Sequence, residues 1–389
     1  MKYLKFTLLL LLLLSAAILA NSYLIDNFGS DIRFIADRSE LDIYYQRGLW
    51  LPLGKVPYTE TFIEYPQLAA CFLALPHGIS MFLYGGISGI DYYTLIFSLI
   101  VATLLFLSII ILYYLKGEKK YYSFLMLLPA SLYFTYNRYD ILPVFLSILS
   151  IALFSKERYK SSSFILALGV LSKWYLILLL PIFLRFYYMK HKRIHRGMLY
   201  VFSVTGFLGI LPTLLSGGVD ALMVPYKFQA ARGLNKESLF YLLKSVLGSD
   251  LWFVIFFLLQ FAAVPLCLLS RIDSIKKVIS WSCFSILVFM LFAKFYSPQW
   301  ILWILPFLIL RARNIKDVFM IVLFDIVTYF YFPVIYDGYQ PLLIPIIIVK
   351  TIILLYFTFA VFRELFIDID IRSSLLTSIL GLRRQPKIR

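Results

Sequence analysis

Charge is what this sequence has least of. Only 15% of its 389 residues are Asp, Glu, Lys or Arg, against roughly 25% in a soluble domain. No soluble fold of this length hides an apolar fraction of 61%, and a disordered chain would need the opposite composition. Cysteine is scarce too. Cys71, Cys267 and Cys283 are far apart, odd in number and without CxxC spacing, so they define neither a disulfide framework nor a zinc site and read as small buried apolar residues. No glycine-rich phosphate loop opens a helix, which leaves nucleotide-sugar binding of the Rossmann kind without local support.

What is present is apolar sequence in helix-length runs. A lipid-spanning helix needs about 20 such residues, and the pattern predicts an all-α, polytopic transmembrane bundle of about 12 spans. The first follows Lys2 and Lys5 and runs from Phe6 to Ala20, a stretch that also fits a secretory signal. The others lie at about 91–115, 121–136, 139–155, 162–172, 174–188, 197–216, 250–270, 277–293, 299–311, 317–333 and 341–362. The runs at 162–172 and 299–311 are short and stop beside polar motifs, as helices do where backbone lines a protein cavity. The segment Leu68 to Tyr84, interrupted by Pro76, His77 and Gly78, reads as a helix lying on the outer leaflet, with His77 a packing residue. The organisation is one membrane domain, 1–365, with outer loops at about 26–90 and 217–249, and a basic cytoplasmic tail, 366–389.

The net charge of +16 is explained by topology. With the N-terminus in the cytoplasm, 25 basic and 7 acidic residues fall inside, while the outer loops hold 11 basic and 13 acidic residues. That asymmetry is the positive-inside rule. The bilayer of a cell membrane is the partner it implies, and nucleic acid is not needed. Asp325 and Lys350 remain inside consecutive spans at similar depth. An unpaired charge there costs about 2.5–3.5 kcal/mol on insertion scales, so the two are expected to pair.

A site assembled from loops must then face outward. The first outer loop carries Glu40 and Asp42, two apart, which share a face if the chain is extended and point apart if it is helical. Either can act as general base toward a hydroxyl. Further polar groups reach the same side: Asn137-Arg138-Tyr139-Asp140, Lys173, the Arg232 to Ser238 segment, and Lys294 to Gln299. Glu40 and Asp42 without further ligands give no metal site, and no cofactor is expected.

Four of these stretches, in order, resemble known motifs. The run Asp42 to Leu68, with Gly48, Gly54, Pro57-Tyr58 and Glu64-Tyr65-Pro66, is similar to the first outer loop of glycosyltransferase family 87 and its relatives in the C-type superfamily of membrane glycosyltransferases. Lys173 and the apolar stretch to Pro181, Arg232-Gly233 with Glu237-Ser238, and Lys294 to Trp300 continuing to Trp303 and Pro306 resemble that group's later motifs. Gln229 stands where relatives often carry His, and Leu176 where Pro is frequent.

The resemblance implies inverting transfer of one sugar, with mannose the family-based guess, from a polyprenyl-phosphate carrier to a hydroxyl of a glycolipid or glycan on the outer face. Asp42 or Glu40 would be the base. Lys173, Arg232 and Lys294 would bind the donor phosphate. Tyr58, Glu64, Tyr65, Asn137, Asp140, Glu237, Ser238 and Gln299 would contact substrate. The alternative class is a multispan transporter or lipid flippase, which calls for repeat-related halves and a polar site at the midplane.

Overall fold

A computed structural model of the chain describes residues 7–9, 11–13, 15, 37–87, 89–247, 251–336 and 340–366. The Lys2 and Lys5 pair and the basic tail lie outside the described residues. Within them the fold is helical, and the one β feature is an isolated bridge between Pro57 and Thr61. In chain order the helices are α1 (Arg38–Gly48), α2 (Gln67–Tyr84), α3 (Ile90–Lys116), α4 (Pro129–Asn137), α5 (Ile141–Ser155), α6 (Tyr159–Ser172), α7 (Leu179–His191), α8 (Arg196–Ala231), α9 (Leu239–Leu247), α10 (Leu251–Gln260), α11 (Ala263–Leu269), α12 (Ile275–Phe292), α13 (Ile301–Arg311), α14 (Ile315–Tyr329) and α15 (Leu343–Phe366). Short 3-10 stretches at Gly117–Leu127, Trp174–Leu178 and Pro298–Trp300 join several of them.

Six helical stretches are long and apolar enough to cross a membrane, or eight if each of two bent pairs counts as one crossing. The bent pairs are α4 with α5, turned by 110°, and residues 252–260 with α11, turned by 44°. Length and apolarity thus support a multi-pass membrane protein with fewer qualifying helices than the twelve expected. The helix α2 is among those that qualify, so its composition does not single out the surface position assigned to Leu68–Tyr84.

Polar groups gather at two ends of the bundle. At one, Lys116 donates to the carbonyls of Leu310 (2.8 Å) and Ala312 (2.5 Å), and Arg311 and Arg313 both pair with Glu364. There Asn314 and Asp317 form a capping box that starts α14, satisfying amides that the first turn leaves without partners. The other end holds the short loop helix α1 and the cavity described below. Two glycines allow the close packing that cavity needs. A Cβ on Gly48 would stand 2.3 Å from the Leu73 carbonyl, and one on Gly217 would stand 2.1 Å from the Thr59 side chain. With Gly218 at φ +63, Gly217 breaks α8 and lets its last turns lean over the first loop.

Two expectations fail. Asp325 and Lys350 do not pair. Asp325 accepts from the Ala130 and Ser131 amides and the Ser131 hydroxyl, at 2.8, 3.1 and 2.6 Å. Lys350 donates to the Glu237 carbonyl at 2.9 Å and sits 3.5 Å from the Tyr296 ring centre. Equal depth placed them at similar heights, but they face different neighbours around their helix axes. Of the cysteines, Cys267 and Cys283 are buried as expected for small apolar residues, whereas Cys71 is exposed.

Candidate active site

Five stretches far apart in sequence enclose a cavity of about 1510 Å³: the first loop from Asp37 to Pro66, the corner Arg138-Tyr139-Asp140, the break after α6 at Lys173, the segment from Gln229 to Glu237, and the segment from Ala293 to Trp303. Its size exceeds the roughly 300–1,000 Å³ of a typical small-ligand pocket. Each stretch is a place where a helix stops, so backbone and side chains point inward rather than to lipid.

The corner between α4 and α5 is the most heavily charged. Arg138, in extended conformation and 5% exposed, donates to its neighbour's carbonyl at 2.8 Å and to Asp37 at 2.9 Å, and lies 3.6 Å from Glu40. Asn137 accepts the Asp37 amide at 2.6 Å, so the first loop is tied to the corner by backbone as well as by charge. Burial lifts the Glu40 carboxyl above its ordinary value of 4.5, aided by Asp37 and Asp140 and opposed by Arg138 and Lys173. Asp37 differs. Burial would raise it, but Arg138 and the Ser39 hydroxyl outweigh that and hold it below its ordinary range.

Next to this corner, Asp140 is 1% exposed and takes two donors on one oxygen, Lys173 Nζ at 2.5 Å and Trp303 Nε1 at 2.6 Å. The ammonium also lies 4.5 Å from the Tyr139 ring centre and 5.1 Å from that of Trp303. Trp303 is held between Tyr175 and Trp300, with ring centres 4.2 and 4.6 Å away. Lys173 is therefore the partner of a buried carboxylate, not a free cation.

Two further cations that line the cavity have no carboxylate partner among the described residues. Arg232 donates to Gln229 at 3.2 Å and lies over Phe295, its guanidinium carbon 3.6 Å from the ring centre. Lys294 donates to the Ala230 carbonyl at 2.7 Å. Asn235 holds this wall by bonding both the amide and the carbonyl of Tyr296, and Lys350 holds it through the Glu237 carbonyl. Burial raises the Glu237 carboxyl, against the lowering pull of Tyr331, Lys350 and Arg232. Beyond Lys294 the cavity becomes apolar, lined by Phe253, Phe256, Phe257, Phe261, Phe289 and Phe292.

No family model matches the chain, and no curated protein matches it. The site is read from its own chemistry.

Of the residues expected from sequence, Glu40, Glu64, Tyr65, Asp140, Lys173, Arg232, Glu237, Lys294 and Gln299 line the cavity. Asp42 does not: it is exposed and on another face of α1 from Glu40. Tyr58 is buried with its hydroxyl on the Tyr65 carbonyl, Asn137 ties the corner to the first loop, and Ser238 caps the start of α9 through the Tyr241 amide. These three support the walls. Glu64 lines the cavity but is paired with Arg47 at 2.6 Å. The sequence pattern pointed to neither Asp37 nor the phenylalanine wall, and it placed Arg138 among the polar groups of this face without a role. For Arg138 a signal existed: an arginine beside two apolar runs is costly unless it is used.

Proposed function

We propose that this chain is a polyprenyl-phosphate-dependent membrane glycosyltransferase of the C-type architecture. It moves one hexose, mannose being the guess that the family resemblance favours, onto a glycolipid or glycan hydroxyl. The observation that carries the reading is the set of groups that line this one cavity. A basic-capable carboxylate, Glu40, and two cations without carboxylate partners among the described residues, Arg232 and Lys294, line the same cavity, and a phenylalanine-lined extension begins next to Lys294. A ligand matching this is an anion joined to a long apolar chain, with a nucleophilic alcohol delivered to the carboxylate.

The chemistry follows from that layout. Glu40 takes the proton of the acceptor hydroxyl as its oxygen attacks the anomeric carbon, and the bond from that carbon to the phosphate oxygen breaks. The polyprenyl phosphate leaves with the bonding pair, and attack from the face opposite it inverts the centre. Arg232 and Lys294 stabilise the charge that grows on the departing phosphate. Arg232 suits a bidentate contact and Lys294 supplies a point charge. The phenylalanines hold the isoprenoid.

The segregation of the basic groups at Lys116, Arg311 and Arg313 from the cavity end supports an orientation with that end in the cytoplasm and the cavity on the outer face of the cell membrane; twelve passes with the N-terminus in the cytoplasm remain part of the proposal. A polar site at one end, rather than at the midplane between repeated halves, supports a transferase over a carrier.

The test is incubation of purified protein with labelled polyprenyl-phosphate mannose and extracted membrane lipids and glycans. Transfer is expected, reduced about 100- to 10,000-fold in Glu40→Gln and retained in Asp42→Asn. Vesicle uptake of the donor without transfer would replace the reading with the carrier.

A further inference from the structure

Glu40 and Asp37 belong to the same loop and face the same arginine, yet their surroundings differ. Asp37 has every polar atom engaged: Oδ1 accepts from Ser39 at 2.6 Å, Oδ2 from Arg138 at 2.9 Å, and its amide donates to Asn137 at 2.6 Å. The Glu40 carboxylate accepts no hydrogen bond among the described residues, and its nearest charge is the same Arg138 nitrogen, Nη2, at 3.6 Å. Among the described residues that nitrogen has one short partner, and it is Asp37. The remaining charges around Glu40 are Asp140 of the corner, Lys173 after α6 and Arg232 after α8, with the phenols of Tyr44 and Tyr65 close by.

We propose that Asp37 is a positioning residue for the base: by taking the Arg138 guanidinium it keeps Arg138 from closing on Glu40, and so leaves the Glu40 carboxylate free to receive the acceptor's proton. A carboxylate held by a short guanidinium contact is a strong ion pair and a poor proton acceptor. Without Asp37, Arg138 has one carboxylate left within reach, and Glu40 becomes its partner. Asp37 touches no reacting atom in this scheme. It acts through Arg138, and the role rests on the transferase reading of the same cavity.

The experiment follows the protonation of Glu40 directly and through turnover. A hydrophobic carbodiimide modifies protonated carboxyls, and mass spectrometry of the labelled full-length protein reports Glu40 at each pH without any substrate. In the wild type, half-modification is expected above the ordinary 4.5. In Asp37→Asn, which keeps the side chain's shape and an oxygen for Ser39, it is expected to fall by about one pH unit, as a closer guanidinium favours the charged form. The acid limb of kcat/KM with polyprenyl-phosphate mannose should move down by the same amount.

A wild-type midpoint at or below 4.5, or an Asp37→Asn profile that is unshifted while rates drop equally at every pH, overturns the proposal and leaves Asp37 a structural tie. The wild-type midpoint needs no variant to fold. If no donor is transferred by the wild type, the transferase reading fails on turnover alone, and the labelling still decides whether Asp37 governs Glu40.

Discussion

Replacing Lys173 by Gln separates a buried ion pair from a phosphate ligand. The ammonium lies 2.5 Å from an Asp140 oxygen, and the two side chains are 19% and 1% exposed. Removing it leaves Asp140 with one donor, the Trp303 indole at 2.6 Å, while its second oxygen has no partner among the described residues. Breaking a buried pair from one side costs about 3–5 kcal/mol, because the remaining charge stays desolvated. Replacing both partners by neutral groups of similar shape is often close to neutral. Lys173→Gln is therefore expected to lower the melting temperature in detergent substantially, and Lys173→Met combined with Asp140→Asn to recover most of the loss. The assay is fluorescence-detected thermal unfolding of Lys173→Gln and of wild type, Lys173→Met, Asp140→Asn and the Lys173→Met/Asp140→Asn double, the last four forming a mutant cycle. If Lys173→Gln melts with the wild type and raises only the KM for the lipid-linked donor, the lysine is a phosphate ligand and the ion-pair reasoning is refuted.

The free cations give the opposite pattern. Arg232→Gln and Lys294→Gln should each raise the donor KM about 10- to 100-fold, the worth of one charge-assisted hydrogen bond, with melting unchanged; unchanged kinetics would remove the phosphate role. Asp325→Ala strips acceptors from the Ala130 and Ser131 amides and the Ser131 hydroxyl, and at about 1–3 kcal/mol for each stranded donor it should fail to accumulate or melt far below wild type. Cysteines introduced near Asn235 and near Arg193 should react with an impermeant maleimide from opposite sides of the membrane; same-side labelling would end the twelve-pass topology.

The helical bundle was legible because composition and run length act along one dimension, and the clustering of basic residues needed only a count along the chain. The cavity was half legible. Polar motifs at the ends of apolar runs named Asp140, Lys173, Arg232 and Lys294, since a charge at a span end is visible in sequence. What each one touches was not. Lys173 and Asp140 are 33 positions apart, and the packing of α5 on α6 brings the residue that starts one beside the residue that ends the other. The choice between Glu40 and Asp42 depended on whether their segment is helical. It is, in α1, and a spacing of two then turns one inward and the other out. The phenylalanine wall was hidden for another reason: in a membrane sequence an inward phenylalanine and a lipid-facing one read alike.

The failed pairing of Asp325 with Lys350 bears on how such a cavity is held open. Depth can be counted along a helix, but rotation about its axis sets which neighbour a side chain meets, and each of these charges meets backbone. Asp325 caps the amides at the start of α4, the short helix that ends at Arg138. Lys350 holds the carbonyl of Glu237, in the segment that carries Arg232. Interrupted helices expose amides and carbonyls at depths where no water satisfies them, and a buried charge is a strong partner for such groups. The two charges cost less here than isolated ones because they replace missing backbone bonds. By doing so they allow helices to stop inside the bundle, at Arg138 and in the Arg232 to Glu237 segment, both of which line the cavity.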